Sequence, residues 1–401
     1  MTEGTGAVRV ANAIAAMADD LTEWRRDFHR HPELGYGEHR TARLVAERLT
    51  EFGFDAVATG IGGTGVVGTL HGARGARADG RAILLRADMD ALPIAEATGA
   101  AHASEAPGVM HACGHDGHTT MLLGAARRLA DTRDFDGTVY FCFQPAEEGG
   151  AGAKAMMDDG LLERFPVQRA FGMHNWPGLA TGHFALTDGP VFAAADQFTI
   201  RVRGRGGHAA FPHMTRDPVV AGAALVGALQ TVASRVVDPL QPVVVSVTQF
   251  EAGHAHNVIP DEAVLRGTTR CFDEAVWAGV AETMRRLAEE TGRAYGVDIA
   301  IERGPDPYPP LVNDRDAVDL AEAAMRATFG DAAVTRGHPP TMGGEDFAFM
   351  ARAVPSAYVL IGNGDSAALH SPAYDFDDGA APAGVAYWAG LVAHALPLER
   401  A

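Results

Sequence analysis

Three cysteines in 401 residues are too few and too scattered for a disulfide framework. Cys113, Cys142 and Cys271 are therefore expected to be reduced, and a special one among them would be a ligand or a nucleophile. Positive charge is scarce as well: 33 Lys and Arg stand against 51 Asp and Glu, a formal net charge of -18 at pH 7. This argues against nucleic acid as a partner, because neutralising phosphates takes clustered Lys and Arg. It also means that an anionic substrate needs a local cation, either Arg or a metal. Long apolar runs are missing, and none reaches the ~20 residues of a membrane span. Met1 to Val10 lacks the basic-then-apolar pattern of a signal peptide. No membrane partner is expected, and the expected location is cytoplasmic.

What remains is an ordinary globular composition, 47% hydrophobic and 21% charged, in a chain long enough for two domains. Ile14, Met17, Leu21, Trp24 and Phe28 lie at helical spacing and predict a helix from about Val8 to Arg30. His31-Pro-Glu-Leu-Gly-Tyr-Gly37 breaks it, and a second helix is predicted over Glu38 to Phe52. Gly65 to His71 and Ala82 to Ala87 read as strands, with the Gly-rich stretch Gly72 to Gly80 as a hairpin loop between them. A helix over Thr119 to Ala130, a strand over Thr138 to Phe143, a helix over Ala153 to Asp159 and a strand over Ala170 to Met173 continue the alternation. From Gly189 the predicted order becomes βαββαβ: Gln197–Arg203, Pro218–Val237, Pro242–Phe250, Ala263–Phe272, Glu274–Gly292 and Val297–Ile301. A helix over Ala317 to Phe329, a strand over Ser356 to Ile361 and a helix over Ala383 to Leu396 then resume the first pattern. The fold class expected is α/β: a larger domain (1–188 and 303–401) with a central mixed sheet flanked by helices, carrying an inserted βαββαβ, ferredoxin-like domain at 189–302.

The densest chemistry lies in Met110-His-Ala-Cys-Gly-His-Asp-Gly-His118, which packs His111, Cys113, His115, Asp116 and His118 ahead of a helix. Imidazole and thiolate suit borderline-soft divalent metals. In an extended loop, Cys113 and His115 would point to one side and share a metal. A polar capping loop with a buried Cys is the bland alternative, and five potential ligands in one loop count against it. Gln144-Pro-Ala-Glu-Glu-Gly-Gly150 follows a buried strand, and strand ends are where α/β sites gather. Adjacent carboxylates there could divide the work, one binding metal while the other takes a proton from water. Alone the pair would read as a solvated turn; beside the first loop the functional reading prevails. His174 ends the apolar run from Ala170, and His370 follows the strand ending at Ile361. Asp88 and Asp90 follow the strand Ala82 to Leu85, placed either to orient a ligand histidine through its other ring nitrogen or simply to make a turn.

Taken together these motifs resemble the aminoacylase/carboxypeptidase family of co-catalytic metallohydrolases. Within it they resemble the branch of hippurate hydrolases, N-acetyl-amino-acid deacetylases and indoleacetyl-amino-acid hydrolases. The matching series spans nearly the whole chain: Phe28–Gly35, Arg86–Pro93, Met110–His118, Gln144–Gly150, Gly206–His213, Asn257–Pro260, Met342–Phe347 and Leu369–Pro372. The resemblance implies Cys113, His115, Glu148, His174 and His370 as metal ligands, Glu147 as general base, and Asp88 and Asp90 in support. It implies His208 as a residue that reaches from the inserted lid and dimerisation domain of a partner subunit to steady the oxyanion. Asn257 and Arg270 fall where relatives hold the substrate's carbonyl and carboxylate, with Arg266 close by as the other candidate. Many members of the wider family carry His where this chain has Asp88 and a bridging Asp where it has His115. That departure leaves open the metal (Zn, Mn, Co or Ni) and the count, one or two per subunit. The implied activity is metal-dependent hydrolysis of an N-acyl amino acid by a homodimer or larger homo-oligomer. The Gly-rich joint around Gly178 to Gly189 would be one hinge for closure on substrate.

Two competing readings are a dipeptidase or carboxypeptidase on the same fold and a non-catalytic metal- or ligand-binding protein. The second has no need of Glu147 beside the ligands. Gly60-Ile-Gly-Gly-Thr-Gly65 fits a dinucleotide fingerprint, but a strand-like run follows it where a helix is required. Cys142 and Cys271 are read as structural.

Overall fold

The structure, a computed structural model, describes residues 12–75 and 80–398. The predicted helix start at Val8 and part of the Gly72 to Gly80 stretch lie outside the described residues. The chain packs as two units. One comprises Met1–Gly189, Val312–Pro339 and Phe349–Ala401; the other comprises Pro190–Leu311 and Pro340–Ala348.

The larger unit begins with α1 (Ala18–Arg30), α2 (His39–Glu51), β1 (Ala56–Ile61), β2 (Gly65–His71), β3 (Ala82–Asp88), α3 (His115–Thr132), β4 (Thr138–Gln144), α4 (Gly152–Asp158), β5 (Arg169–Trp176) and β6 (Phe184–Leu186). The smaller unit supplies β7 (Ala194–Arg203), α5 (Pro218–Thr231), β8 (Val243–Ala252), β9 (Glu262–Cys271), α6 (Glu274–Tyr295) and β10 (Asp298–Arg303). The larger unit resumes with α7 (Arg315–Phe329), β11 (Val334–Arg336), β12 (Ser356–Gly362) and α8 (Ala381–Ala395).

The large sheet is mixed and eight-stranded, in the order β1-β2-β4-β3-β5-β12-β6-β11. Its centre, β4-β3-β5-β12, is parallel throughout. β3 and β12 are buried at every position, as expected of parallel strands covered on both faces. Helices bring apolar stripes to that sheet: Thr41, Val45 and Leu49 are the buried face of α2, and Phe28, Leu122 and Trp388 join the same core as Leu85, Phe141 and Phe171.

The expected hairpin between β2 and β3 does not form. β4 lies between them, antiparallel to β2 and parallel to β3. Gly72 instead donates its N–H to Gly137 and passes so close to Phe135 that a Cβ would sit 2.0 Å from that carbonyl oxygen. The local Gly signal was real, but it marked a tight crossing. Gly60–Gly65 is the turn of the antiparallel β1–β2 pair, so a strand follows it and no helix. Strands β1, β6 and β11, which carried no clear sequence pattern, complete the sheet.

The smaller unit is a four-stranded antiparallel sheet in the order β8-β9-β7-β10, with α5 and α6 packed on it through Phe198, Ile200, Leu225, Leu265 and Met284. This is the βαββαβ arrangement. Pro218–Val236, 19 residues, passes a length-and-composition test for a membrane span, a test that the core helix of a globular domain also passes. Here Ala221, Leu225, Leu229 and Val232 are buried in the unit's own core, the role of a packed helix.

Candidate functional site

Four parallel strands run side by side, so their C-terminal ends reach the same edge of the large sheet. That edge collects Asp88 at the end of β3, the Glu147–Glu148 turn after β4, His174 within β5 and His370 beyond β12. Leu360 pairs with His174 and Asp88 with Gln144 in the ladder.

The Cys113 segment is not an extended loop. Gly114 turns through a left-handed conformation (φ 84°), and His115 already opens α3. A Cβ at Gly114 would meet Asn175 Nδ2 at 2.3 Å and Tyr374 Oη at 2.5 Å, so only glycine fits this kink. The bend brings Cys113, His115 and His174 donor atoms within 4.8 Å of one another. Cys113, Glu148 and His370 form a second such group, and His115, Glu147 and Glu148 a third. Cys113 Sγ lies 3.4 Å from His174 Nε2, and Glu148 Oε1 lies 3.2 Å from His370 Nε2 and 3.9 Å from His115 Nε2. The Glu147–Glu148 pair is not extended either: Ala146 and Gly149 are both left-handed (φ 49° and 80°).

The donor chemistry fits a divalent cation. His115 Nε2 is buried with no hydrogen-bond partner among the described residues, and Glu148 Oε1 faces only other donors of the cluster. Burial, then the carboxylates of Glu148, Glu147 and Asp88, push the Cys113 thiol well above its usual range. Burial alone would lower the His115 pKa, yet Asp88 and then Asp90 and Glu148 carry it up to about 10. Soft donors inside concentrated negative charge form a site made for positive charge.

The surroundings hold these donors in place. Asp90 Oδ1 sits 3.3 Å from His115 Nδ1, and its Oδ2 accepts the Glu148 N–H at 2.9 Å. Asp88 Oδ1 pairs with His118 Nδ1 at 2.6 Å, while buried Arg86 holds Oδ2 at 2.8 Å and Gln144 at 2.7 Å. His118 Nε2 accepts the Asn175 N–H at 2.9 Å, so both its ring nitrogens are engaged and it is a brace. Asn175 also donates to the Cys113 carbonyl and accepts from Tyr374. Asp116 belongs to a separate buried network with His29 (2.7 Å) and Arg25, and burial holds His111 down to about 4. Of the five candidate side chains in the Met110–His118 stretch, three therefore stand outside the donor cluster or brace it. Asn175 and Tyr374 were missed because nothing in their neighbours' spacing marks them; Arg86 had no role in the sequence reading, although its two-residue spacing from Asp88 on one strand puts both on one face.

In the smaller unit, His208 pairs with Val258 in a short ladder, and Ala209 N–H donates to the Asn257 carbonyl. His208 and Asn257 are thus neighbours, and both are exposed. Ala210 N–H donates to His208 Nδ1 at 3.1 Å, which puts the proton of a neutral ring on Nε2. Arg266 is held by Glu251 at 2.9 Å. Arg270 donates to Thr268 Oγ1 and the Thr269 carbonyl, and both arginines line a cavity of about 520 Å³ together with Thr199, Gln249 and Arg303.

Residues 84–394 match peptidase family M20/M25/M40. Over 378 residues the chain is 41% identical to a hippurate hydrolase of Campylobacter jejuni, covering 94% of this chain and 97% of that one. It is 37% identical over 358 residues to thermostable carboxypeptidase 1 of Saccharolobus solfataricus, covering 88% of each. The crystal structure of the Bacillus subtilis YXEP protein, described as a dinuclear metal binding peptidase of the M20 family, superimposes with a TM-score of 0.80 at 35% identity, over 94% of this chain and 98% of that one. The chain therefore belongs to peptidase family M20/M25/M40 and is an amide-bond hydrolase.

Proposed function

We propose that this protein hydrolyses N-acyl amino acids to a carboxylate and a free amino acid. The observation that carries the reading is Glu147: a carboxylate 7% exposed, grouped with His115 and Glu148 but in excess of the ligands the cluster needs. Cys113, His115, Glu148, His174 and His370 would hold the cation, and because two donor groups share Cys113 there is support for a pair of ions. A divalent cation there supplies Lewis acidity, lowering the pKa of water and polarising the amide carbonyl. Glu147 takes the water proton during attack and returns it to the leaving amine nitrogen. Asp88 and Asp90 keep the histidines oriented.

His208, with a proton on Nε2, is suited to donate to the developing oxyanion, and Asn257 beside it to hold the carbonyl. Arg270, whose described contacts are to neutral oxygens, suits the substrate carboxylate better than Arg266, already bound to Glu251. In this reading His208 serves a second copy's site, with the inserted unit (189–302 in the sequence reading) as lid and dimerisation domain. Self-association is supported by α5, apolar along its length while only 28% of Pro218–Val236 is buried, and by the exposed edge strand β8 with Phe250 on it. Gly189 (φ 74°) suits a hinge; Phe184–Leu186 is packed in the sheet, which confines the joint to the residues after it. The location proposed is cytoplasmic.

The test is amine release from N-acetyl, N-benzoyl and indoleacetyl amino acids and from dipeptides, after stripping the protein and reloading it with Zn, Mn, Co or Ni. Metal-dependent release from the acyl amino acids is expected. Release from peptides alone would move the assignment to the carboxypeptidase reading that the Saccharolobus relative favours.

A further inference from the structure

Gly35, Tyr36 and Glu38 have no part in the chemistry above, yet they lie against the turn that carries Glu147. We infer that Glu38 is a positioning residue for Glu147, acting through the backbone of Ala146; the inference rests on the reading of Glu147 as the base.

Glu38 occupies the N-cap position of α2, where a side chain of its length and charge could cap the helix, but it makes no cap bond. That duty falls to Glu33, which accepts the N–H groups of Arg40 and Thr41 at 2.9 and 2.8 Å. Glu38 is fully buried and turns the other way. Its Oε1 accepts the Ala146 N–H at 2.8 Å, and its Oε2 accepts the Thr64 hydroxyl at 2.6 Å. A buried carboxylate set across the fold onto one backbone N–H has a specific task there, because an alanine in the left-handed region (φ 49°, ψ 48°) relaxes unless its surroundings hold it. Relaxation of Ala146 would swing the next Cα–Cβ bond, that of Glu147.

The rest of the cradle fits the same purpose. Tyr36, itself left-handed (φ 62°), donates its hydroxyl to the Gly150 carbonyl at 2.6 Å. Gly35 lies against Ala146 so closely that an added Cβ would be 3.0 Å from the alanine Cβ. Asp90 holds the Glu148 N–H. The turn is gripped at Ala146, Glu148 and Gly150, leaving the Glu147 side chain as its fixed projection.

The test compares Glu38→Ala, Glu38→Gln and Glu38→Asp with the unaltered protein. It reads kcat and KM on N-benzoylglycine, metal per subunit, and hydrogen exchange of the backbone over residues 145–152. Glu38→Ala should lower kcat roughly 100-fold, with KM and bound metal within about twofold, and speed exchange over 145–152 roughly tenfold. Glu38→Gln should recover most of both, since its amide oxygen accepts the Ala146 N–H while its NH2 donates to Thr64. Glu38→Asp, one methylene shorter, should not recover, and it stands in if the alanine variant fails to fold. A purely structural Glu38 would lower thermal stability but leave kcat per metal-loaded subunit unchanged, which overturns the inference. Unchanged exchange over 145–152 overturns it too. If the unaltered protein releases no amine from any acyl amino acid or dipeptide of the panel above, the reading of the base falls, whereas the exchange experiment still decides whether Glu38 holds the turn.

Discussion

Apart from His370, exposed in the larger unit, and Arg270, half-buried in the smaller one, the two units keep their candidate residues in opposite states. In the larger one Cys113, His115, His174 and Glu147 are each less than 8% exposed and braced by neighbours. In the smaller one His208 and Asn257 lie in the open, on a short ladder and a tight turn, with the Phe211 ring 5.3 Å from that of His208. Buried, crowded donors suit chemistry that needs unvarying charge geometry. Exposed donors suit contacts that are completed on association or closure. In the proposed reading, the difference separates donors that should be intact in any folded copy from donors whose role depends on encounter.

The largest effect should come from the buried side. Chelation should abolish turnover, and reloading at 100 times Kd should stabilise the fold by about 2.7 kcal/mol, read from the urea midpoint. His115, carried up to about 10, and the raised Cys113 thiol both hold protons at neutral pH without metal. Metal must displace those protons, so affinity should rise with pH and loading should release acid. Calorimetry in buffers of different ionisation enthalpy measures this, and proton-neutral loading would contradict the ligand assignment. Next, Glu147→Ala should retain its metal and lose about 10³ in kcat; wild-type turnover would remove Glu147 from its role.

His208→Ala should cost about 10² to 10³ in kcat with metal content unchanged. Mixing it with Glu147→Ala subunits sharpens the comparison. If His208 serves the other copy, the hybrid regains one competent site, and activity reappears from two silent proteins. No recovery after verified subunit exchange would place His208 in its own subunit's site. The smallest effect should be Arg270→Ala, about a tenfold rise in KM, against a change within about twofold for Arg266→Ala. Reversed values would exchange their roles.

The alternation of strands and helices was legible because parallel strands at the sheet's centre carry short apolar runs, such as Ala82–Leu85 in the fully buried Ala82–Asp88. Their neighbours were not legible. That β4 enters between β2 and β3 depends on α3 carrying the chain across, and Gly72, which marks the crossing, reads locally as a turn residue. The donor set was legible as a cluster of reactive types within one short stretch. What sorts its members is a set of contacts from distant positions: Asn175 occupying the second nitrogen of His118, and His29 claiming Asp116. Glu38 shows the same limit, since at an N-cap its local context points to capping and its partner is Ala146.

The place of β12 also bears on how the chain is made. It lies between β5 and β6, and its register with β5 pairs Ser356 with Ala170, so the middle of the large sheet stays open until the last part of the chain is synthesised. The smaller unit's sheet spans only Ala194 to Arg303 and its strands are all available earlier. On a ribosome the inserted unit should fold while the unit that encloses it waits. Arrested chains ending before Ser356 should show protease-resistant cores from the insert alone, with the apolar flanks of β5 and β6 left for a chaperone to cover.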